Sequence, residues 1–450
     1  MELNSGDTAW VLASTALVLL MTPGLAFFYG GMTKAKSTLN MMMMSFATIC
    51  VVSVLWVVYG FSLAFGDSGS AFYGSFSLSG LSDAVGELTN NGGVYGIPLL
   101  AFAGFQLMFA IITVALISGA IADRAKFLTW SIFAILWVTI VYFPVAHWVF
   151  DFGTVAEDGT VTGKGWLAEL GVLDFAGGTA VHINAGAAGL ALAIVLGRRI
   201  GFKKHPTRPH NLPFVLLGAG LLWFGWFGFN AGSALGATDT AALALINTQV
   251  ATAAGLGGWL LLERIRDGHA TSLGAASGAV AGLVAITPAC AFVEPWAAVV
   301  IGLVAGIVCA LAVSLKYKLN YDDSLDVVGV HLVGGLIGCL LIGFFATTSV
   351  NEFGADGVFA GGGFALLGKQ AIGAFSVLAY SLIVTLILGF LLEKTIGFRV
   401  SRDAELEGVD VTEHAETAYE FEGLTTGGFG SGPGPSGGKP SIKQDQEVSA

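Results

Sequence analysis

The sequence predicts an all-α polytopic membrane protein. It has eleven transmembrane helices, a five-plus-five inverted repeat plus one extra helix, with the N-terminus outside and the C-terminus inside. Three observations predict this. Of 450 residues, 55% are hydrophobic and 11% charged, against about 25% charged in a soluble domain, and mean hydropathy is +0.78. Eleven apolar runs reach the about 20 residues that a span needs. With the N-terminus outside, all 20 Lys and Arg except Lys164 and Lys369 fall on the inside, as the positive-inside rule expects.

The runs cover roughly 10–30, 41–65, 98–122, 128–148, 174–196, 213–235, 241–262, 271–292, 296–315, 327–349 and 371–393. The first lacks the basic leader of a signal peptide, since Glu2 and Asp7 precede its core, so it counts as a span. The abundant glycines, 64 in all, suit close helix contacts in a membrane. The basic loop Arg198–His210 divides the chain, with five spans before it and five after, and the eleventh left over. An odd repeat unit inverts the second half. The expected organisation is a transmembrane domain over 1–400, with halves about 1–197 and 211–350 and an eleventh helix at 371–393. A cytoplasmic regulatory tail follows over 401–422, able to form short helices. Residues 423–450 are Gly, Ser and Pro-rich and expected to be disordered.

The polar residues inside the spans carry the functional signal. Span five opens LDFAGGTAVHINAGAAG and span ten opens LDVVGVHLVGGLIG. Each has an aspartate, then a histidine, then small residues. His182 lies eight residues past Asp174, about 12 Å along a helix. His331 follows Asp326 on a helix of opposite direction, and inversion brings the two rings together near mid-membrane. A single intramembrane histidine bridges helices as readily as it lines a path. Two in equivalent places point to a pore. Burial favours neutral rings, and a neutral imidazole donates at one nitrogen and accepts at the other. Asp174 reads as an N-cap, as a buried anion beneath an outer vestibule, or as both.

Aromatic residues surround these positions. Phe105 and Phe109 share a face of span three. Span six carries Trp226, Phe229 and Ser233 in WFGWFGFNAGSA. Core packing explains most of the 32 phenylalanines. A few rings beside a hydroxyl make a cation site. Cys50, Cys290, Cys309 and Cys339 all fall in apolar runs without metal-like spacing and read as buried inert thiols. No third ligand accompanies the histidines, so no metal is expected. No phosphate-loop pattern, enzyme constellation, cofactor motif or nucleic-acid signature is present.

The stretches FAGFQLMFAIITVALISGA, PVAHWVF, LDFAGGTAVHINA, WFGWFGFNAGSA, SGAVAGLVAITPA, DVVGVHLVGG and GFRVSRDAELEGVDVTEHAETAY resemble the ammonium transporter (Amt/Mep/Rh) family, bacterial Amt branch, over about residues 5–420. The resemblance implies a homotrimer in the cell membrane, each subunit with its own pore. Ammonium, or methylammonium, is recruited at an outer vestibule and deprotonated. Ammonia then crosses a hydrophobic pore lined by His182 and His331, with net charge transfer by a separate proton path. Asp174 matches the family aspartate, and Phe109 and Phe229 match the outer gate. Phe105, Trp226 and Ser233 fall on recruitment or pore-wall positions, and Thr287 near the pore. The resemblance also implies a cytosolic PII-type signalling partner. One departure is visible. The recruiting tryptophan of the family is replaced by Phe150, and Trp148 is an extra aromatic. Phe holds a cation less well than Trp, so weaker recruitment is expected unless Trp148 compensates.

Three alternatives stay open beside a charge-moving transporter. A passive ammonia channel uses the same residues. An ammonium sensor expects an added signalling segment. A sodium-coupled symporter expects a pair of broken helices, and no clear interruption pair is visible in the sequence.

Overall fold

The computed structural model describes residues 2–67, 70–93, 96–156, 158–204 and 208–419. The expected disordered tail at 423–450 lies outside the described residues. Among these, ten helices are long and apolar enough to cross a membrane: α1 (Ser5–Met32), α2 (Ala35–Phe65), α3 (Leu99–Ile121), α4 (Phe127–Phe150), α5 (Gly178–Leu196), α6 (Leu212–Ala234), α7 (Asp239–Asp267), α9 (Pro295–Leu319), α10 (Val328–Phe345) and α11 (Ala365–Thr395). Between α7 and α9 lies α8 (Ser272–Ile286), apolar but shorter. Two short helices follow, α12 (Arg402–Glu407) and α13 (Val409–His414). The chain is an all-α, multi-pass membrane protein.

The run predicted over 271–292 is helical only over Ser272–Ile286. Helix α8 starts where Thr271 accepts the Gly274 N–H (2.8 Å) and stops at Ile286. Pro288 has no N–H and its ring crowds the preceding turn. The following turn is held instead by Asn247, whose Nδ2 donates to the carbonyls of Cys290 (2.7 Å) and Val293 (2.8 Å). Span five also starts later than predicted, at Gly178 rather than 174. Of the cysteines, Cys50 is exposed on α2 and the other three are buried. The expectation of four buried thiols fails there because Cys50 sits on the outward, apolar face of its helix.

Helices α1 and α6 cross in close contact. A Cβ on Gly218 would fall on the Phe28 backbone, so only glycine permits this approach. Successive helices run in opposite directions and leave two loop faces. One carries the N-terminus, where Asn4 N–H donates to Gly96 O (2.8 Å) and Asp7 accepts the Ala237 N–H (2.8 Å). On this face a small hairpin pairs β1 (Thr154–Val155) with β2 (Val161–Thr162). The opposite face carries the C-terminal segment.

The two faces share one device. The start of α5 docks on the turn after α8, through Phe175 N–H to Pro288 O (3.2 Å). The turn leading into α10 docks on the end of α3, through Ser324 N–H to Ala120 O (3.2 Å) and Leu325 N–H to Gly119 O (3.1 Å). Charges close the C-terminal face. Arg199 pairs with Asp123 (3.0 Å) and Asp322 (2.9 Å), both carboxylates being fully buried. Burial pushes the Asp322 carboxyl up, but the Arg199 hydrogen bonds and charge outweigh it and hold it below the usual range. Helices α12 and α13 cap this face. Asp410 accepts the N–H groups of Leu39 (3.0 Å) and Asn40 (2.8 Å), Glu413 that of Phe127 (2.9 Å) and Glu405 that of Ile200 (2.5 Å). Asp410 and Glu413 sit at the starts of α2 and α4, where a carboxylate satisfies orphan donors and complements the dipole.

Candidate functional site

Helix α5 begins on a carboxylate. Asp174 accepts N–H groups from Gly177 (2.8 Å), Gly178 (2.6 Å), Thr179 (2.8 Å) and Ala180 (3.3 Å), and also the Thr179 hydroxyl. Gly177 adopts φ +117° there, a conformation that favours glycine. Asp174 is 6% exposed, so the cap is buried. The first turns, Gly178–Ile183, are wound as a π-helix that contains His182.

Helix α10 repeats this arrangement with a different aspartate. The capping carboxylate is Asp323, which accepts the N–H groups of Val327 (3.1 Å) and Val328 (2.8 Å). Its first turn, Val328–Leu332, is again a π-helix and contains His331. Asp326, the sequence-based mate of Asp174, adopts φ +64° and pairs with Lys316 (2.6 Å) instead. The correction restores equal spacing, because Asp323 to His331 is eight residues, as is Asp174 to His182. The π turns also correct the expectation of uninterrupted spans, although neither breaks the chain.

The two histidines meet. Nδ1 of His331 lies 3.2 Å from Nδ1 of His182, and the rings stack at 5.3 Å with 19° between planes. Two facing Nδ1 atoms share one proton, one as donor and the other as acceptor. The two Nε2 atoms must then differ, one a lone pair and one an N–H. Both rings are buried. They face a narrow cavity that also touches Leu25, Phe28, Ile112, Leu222 and Val280. The His182 Nε2 has no hydrogen-bond partner among the described residues.

Aromatic rings close one end of this cavity. Trp226 stacks on His182 at 5.4 Å and 19°. Its indole N–H donates to the Thr287 hydroxyl (2.8 Å), which donates to Leu283 O (2.7 Å). Thr287 thus acts through Trp226. Beyond it Phe109 lies over Phe229, with centroids at 4.3 Å and 38° between planes. Phe105 packs edge-on against Phe109 at 4.9 Å. Ser233 donates to Phe229 O (2.8 Å) and is half-buried. Phe105, Phe109, Phe229, Trp226, His182 and His331 form one continuous ring series.

Trp148 and Phe150 stand apart from that series. Trp148 contacts the rings of Phe72, Trp166 and Tyr380, and its indole N–H donates to Phe72 O (2.8 Å). No ring contact among the described residues links it to Phe109 or Phe229. The alternative that Trp148 compensates for Phe150 gains no support, because its polar edge is held by the neighbouring loop. Phe150 is 6% exposed, and its carbonyl accepts from Asn91 Nδ2 (2.9 Å).

This arrangement can be compared with known proteins. The family model described as Ammonium Transporter Family matches residues 9–419. The ammonium transporter of Mycobacterium bovis is 57% identical over 438 residues, covering 93% of this chain and 91% of the relative. That of Bacillus subtilis is 46% identical over 424 residues, covering 93% and 99%. The chain belongs to the ammonium transporter family. Solved structures agree on the fold of this family. The crystal structure of Saccharomyces cerevisiae Mep2 superposes with a TM-score of 0.79 at 34% identity, covering 89% of this chain and 91% of that one. A structure described as a sensor Amt protein gives 0.80 at 30% identity, covering 91% and 98%. This is a family of transporters, not of enzymes.

Within this family member, sequence reasoning missed Asp323 and the apolar wall of the cavity. The equal spacing to the histidines was the signal available for Asp323. Residues such as Ile112 and Val280 carry no signal, because any apolar side chain in a span looks alike.

Proposed function

We propose that this chain recruits ammonium from outside the cell, deprotonates it and conducts ammonia through a hydrophobic twin-histidine pore, with net charge transfer. The single observation that carries this reading is the His182–His331 pair, facing a narrow apolar cavity beneath the Phe109–Phe229 stack. A bare cation loses several kcal/mol or more on leaving water for such a lining. Neutral ammonia does not, and it can both donate and accept. A histidine pair offering one lone pair and one N–H matches it. Phe105, Phe109, Phe229, Trp226 and Ser233 form the approach and gate. Phe150 lines the outer side. Asp174 holds the His182 helix without touching substrate.

The topology proposed here has eleven spans, counting α8, in five-plus-five inverted halves. The reciprocal docking of α5 on α8 and of α10 on α3 supports it, as do the twin aspartate caps. Basic residues on the C-terminal face support an orientation with that face inside and the N-terminal face outside. Residues 401–422 are then a cytoplasmic regulatory tail. The functional unit is a homotrimer in the cell membrane. Exposed Lys203, Lys204 and Arg208 suit a PII-type partner on the inner face.

The test is transport by the purified protein in liposomes. Ammonium pulses should evoke current, and potassium should not. Flux of ammonia without current would favour the passive channel. The second alternative, a transport-coupled ammonium sensor, draws on the likeness to a structure described as a sensor Amt protein; it predicts that ammonium transport is accompanied by a signalling response of the cell.

A further inference from the structure

We propose that His147 is a positioning residue for ammonium recruitment: clamped as an imidazolium between Asp151 and two backbone carbonyls, it fixes the end of α4 and with it Phe150. The proposal rests on the reading of Phe150 as part of the outer site. His147 is fully buried at the last turn of α4. Its Nδ1 lies 3.0 Å from Ala64 O and 3.0 Å from Asp151 Oδ2. Its Nε2 lies 3.0 Å from Ser70 O. Carbonyl oxygens only accept, so both ring nitrogens must donate. A neutral imidazole has one N–H and would turn a lone pair toward one carbonyl. The doubly protonated ring satisfies every contact, and Asp151 balances its charge.

The clamp joins distant pieces of chain. Ala64 lies in the last turn of α2, Ser70 in the loop after it, and Asp151 leaves α4. Asp151 in turn accepts the Gly153 N–H through Oδ1 (2.8 Å), and its carbonyl accepts the Gly165 N–H (2.9 Å). Phe150 lies between Asp151 and the His147 turn, so its backbone cannot shift while the clamp is closed. Asp151 is the charged group in contact with the ring. The other titratable groups on neighbouring elements are Asp67, Lys164, Glu169, Tyr142 and His182. Asp67 takes the Thr162 hydroxyl instead (2.9 Å).

When the ring loses a proton, one carbonyl loses its donor and the end of α4 loosens. The Asp151 carboxylate, itself buried, is then left without its cation, which adds to the loss. Ammonium recruitment should therefore weaken as outside pH rises through the titration of the clamp.

The experiment measures half-saturating labelled methylammonium for full-length protein in liposomes, at fixed protonated substrate, across outside pH. In wild type it should rise by about tenfold, the worth of one charged hydrogen bond. His147→Gln should sit at the high value and show no pH step. Asp151→Asn should move the step to lower pH, which a merely structural role would not do, and it serves if His147→Gln fails to fold. A wild-type pH profile in His147→Gln, or an unmoved step in Asp151→Asn, overturns the proposal. Phe150→Ala, at acid pH, tests the underlying reading separately. If it leaves the half-saturating concentration unchanged, the outer-site reading fails. If it raises that concentration while His147→Gln keeps the wild-type profile, only the clamp fails.

Discussion

Replacing Asp174 by Asn changes one oxygen to an amide and removes the charge, with little change in volume. In the wild type, Oδ1 accepts the N–H groups of Gly177 and Gly178, and Oδ2 those of Thr179 and Ala180 as well as the Thr179 hydroxyl. An Asn side chain has one carbonyl oxygen. Whichever way its amide turns, two backbone N–H groups face an NH2 and lose their acceptor, while the Thr179 hydroxyl can rotate away. Each orphaned buried donor costs about 1–3 kcal/mol, so the start of α5 should lose about 2–6 kcal/mol. The assay is thermal unfolding of detergent-purified protein, followed by tryptophan fluorescence. The variant should unfold at lower temperature, and its transport rate should fall because the His182 turn is no longer held. A variant with the wild-type midpoint would refute the reasoning, since it would mean those donors are satisfied some other way.

Two further outcomes follow from the same structure. Arg199→Gln leaves Asp123 and Asp322 buried without their cation, a loss of about 3–5 kcal/mol at neutral pH. The Asp322 carboxyl is held low in the folded protein, so the stability it confers is present above the ordinary carboxylate range and is lost as pH falls through its depressed value. The gap between variant and wild type in chemical unfolding should accordingly narrow in acid. For topology, a membrane-impermeant thiol reagent applied outside intact cells should label a cysteine at Glu352 and spare one at Lys203, both being exposed positions. Labelling of Lys203→Cys in sealed cells would contradict the proposed orientation.

How much was legible in the sequence differs from element to element. The long helices follow from hydropathy, because a lipid-facing or core-facing apolar residue scores alike. The same insensitivity hid the stop at Pro288, whose run stays apolar after the helix has ended. The histidine pair was legible from two copies of Asp, His and small residues. Its second cap was misplaced, because Asp322, Asp323 and Asp326 lie close together and only the structure separates them. Asp322 binds Arg199, Asp323 caps α10 and Asp326 pairs with Lys316. Trp148 illustrates a harder limit. Its partners Phe72, Trp166 and Tyr380 are distant in sequence, so nothing local tells which rings it packs against. The acidic residues of α12 and α13 likewise look like a solvated face, yet Asp410 and Glu413 satisfy N–H groups at the starts of helices far up the chain, and Glu405 one in the turn after α5.

The twin histidines are the centre of this account, and one measurement tests them most directly. Ammonium-evoked current and labelled methylammonium uptake are recorded from the same liposome preparations of wild type, His182→Ala and His331→Ala. Removing either ring breaks the Nδ1–Nδ1 contact of 3.2 Å and leaves space that admits water into an apolar lumen. The account predicts that each variant loses the ammonium current or its selectivity over potassium, while wild type keeps both. If both variants match wild type in uptake, current and selectivity, the rings merely pack, and the proposed route through them is wrong.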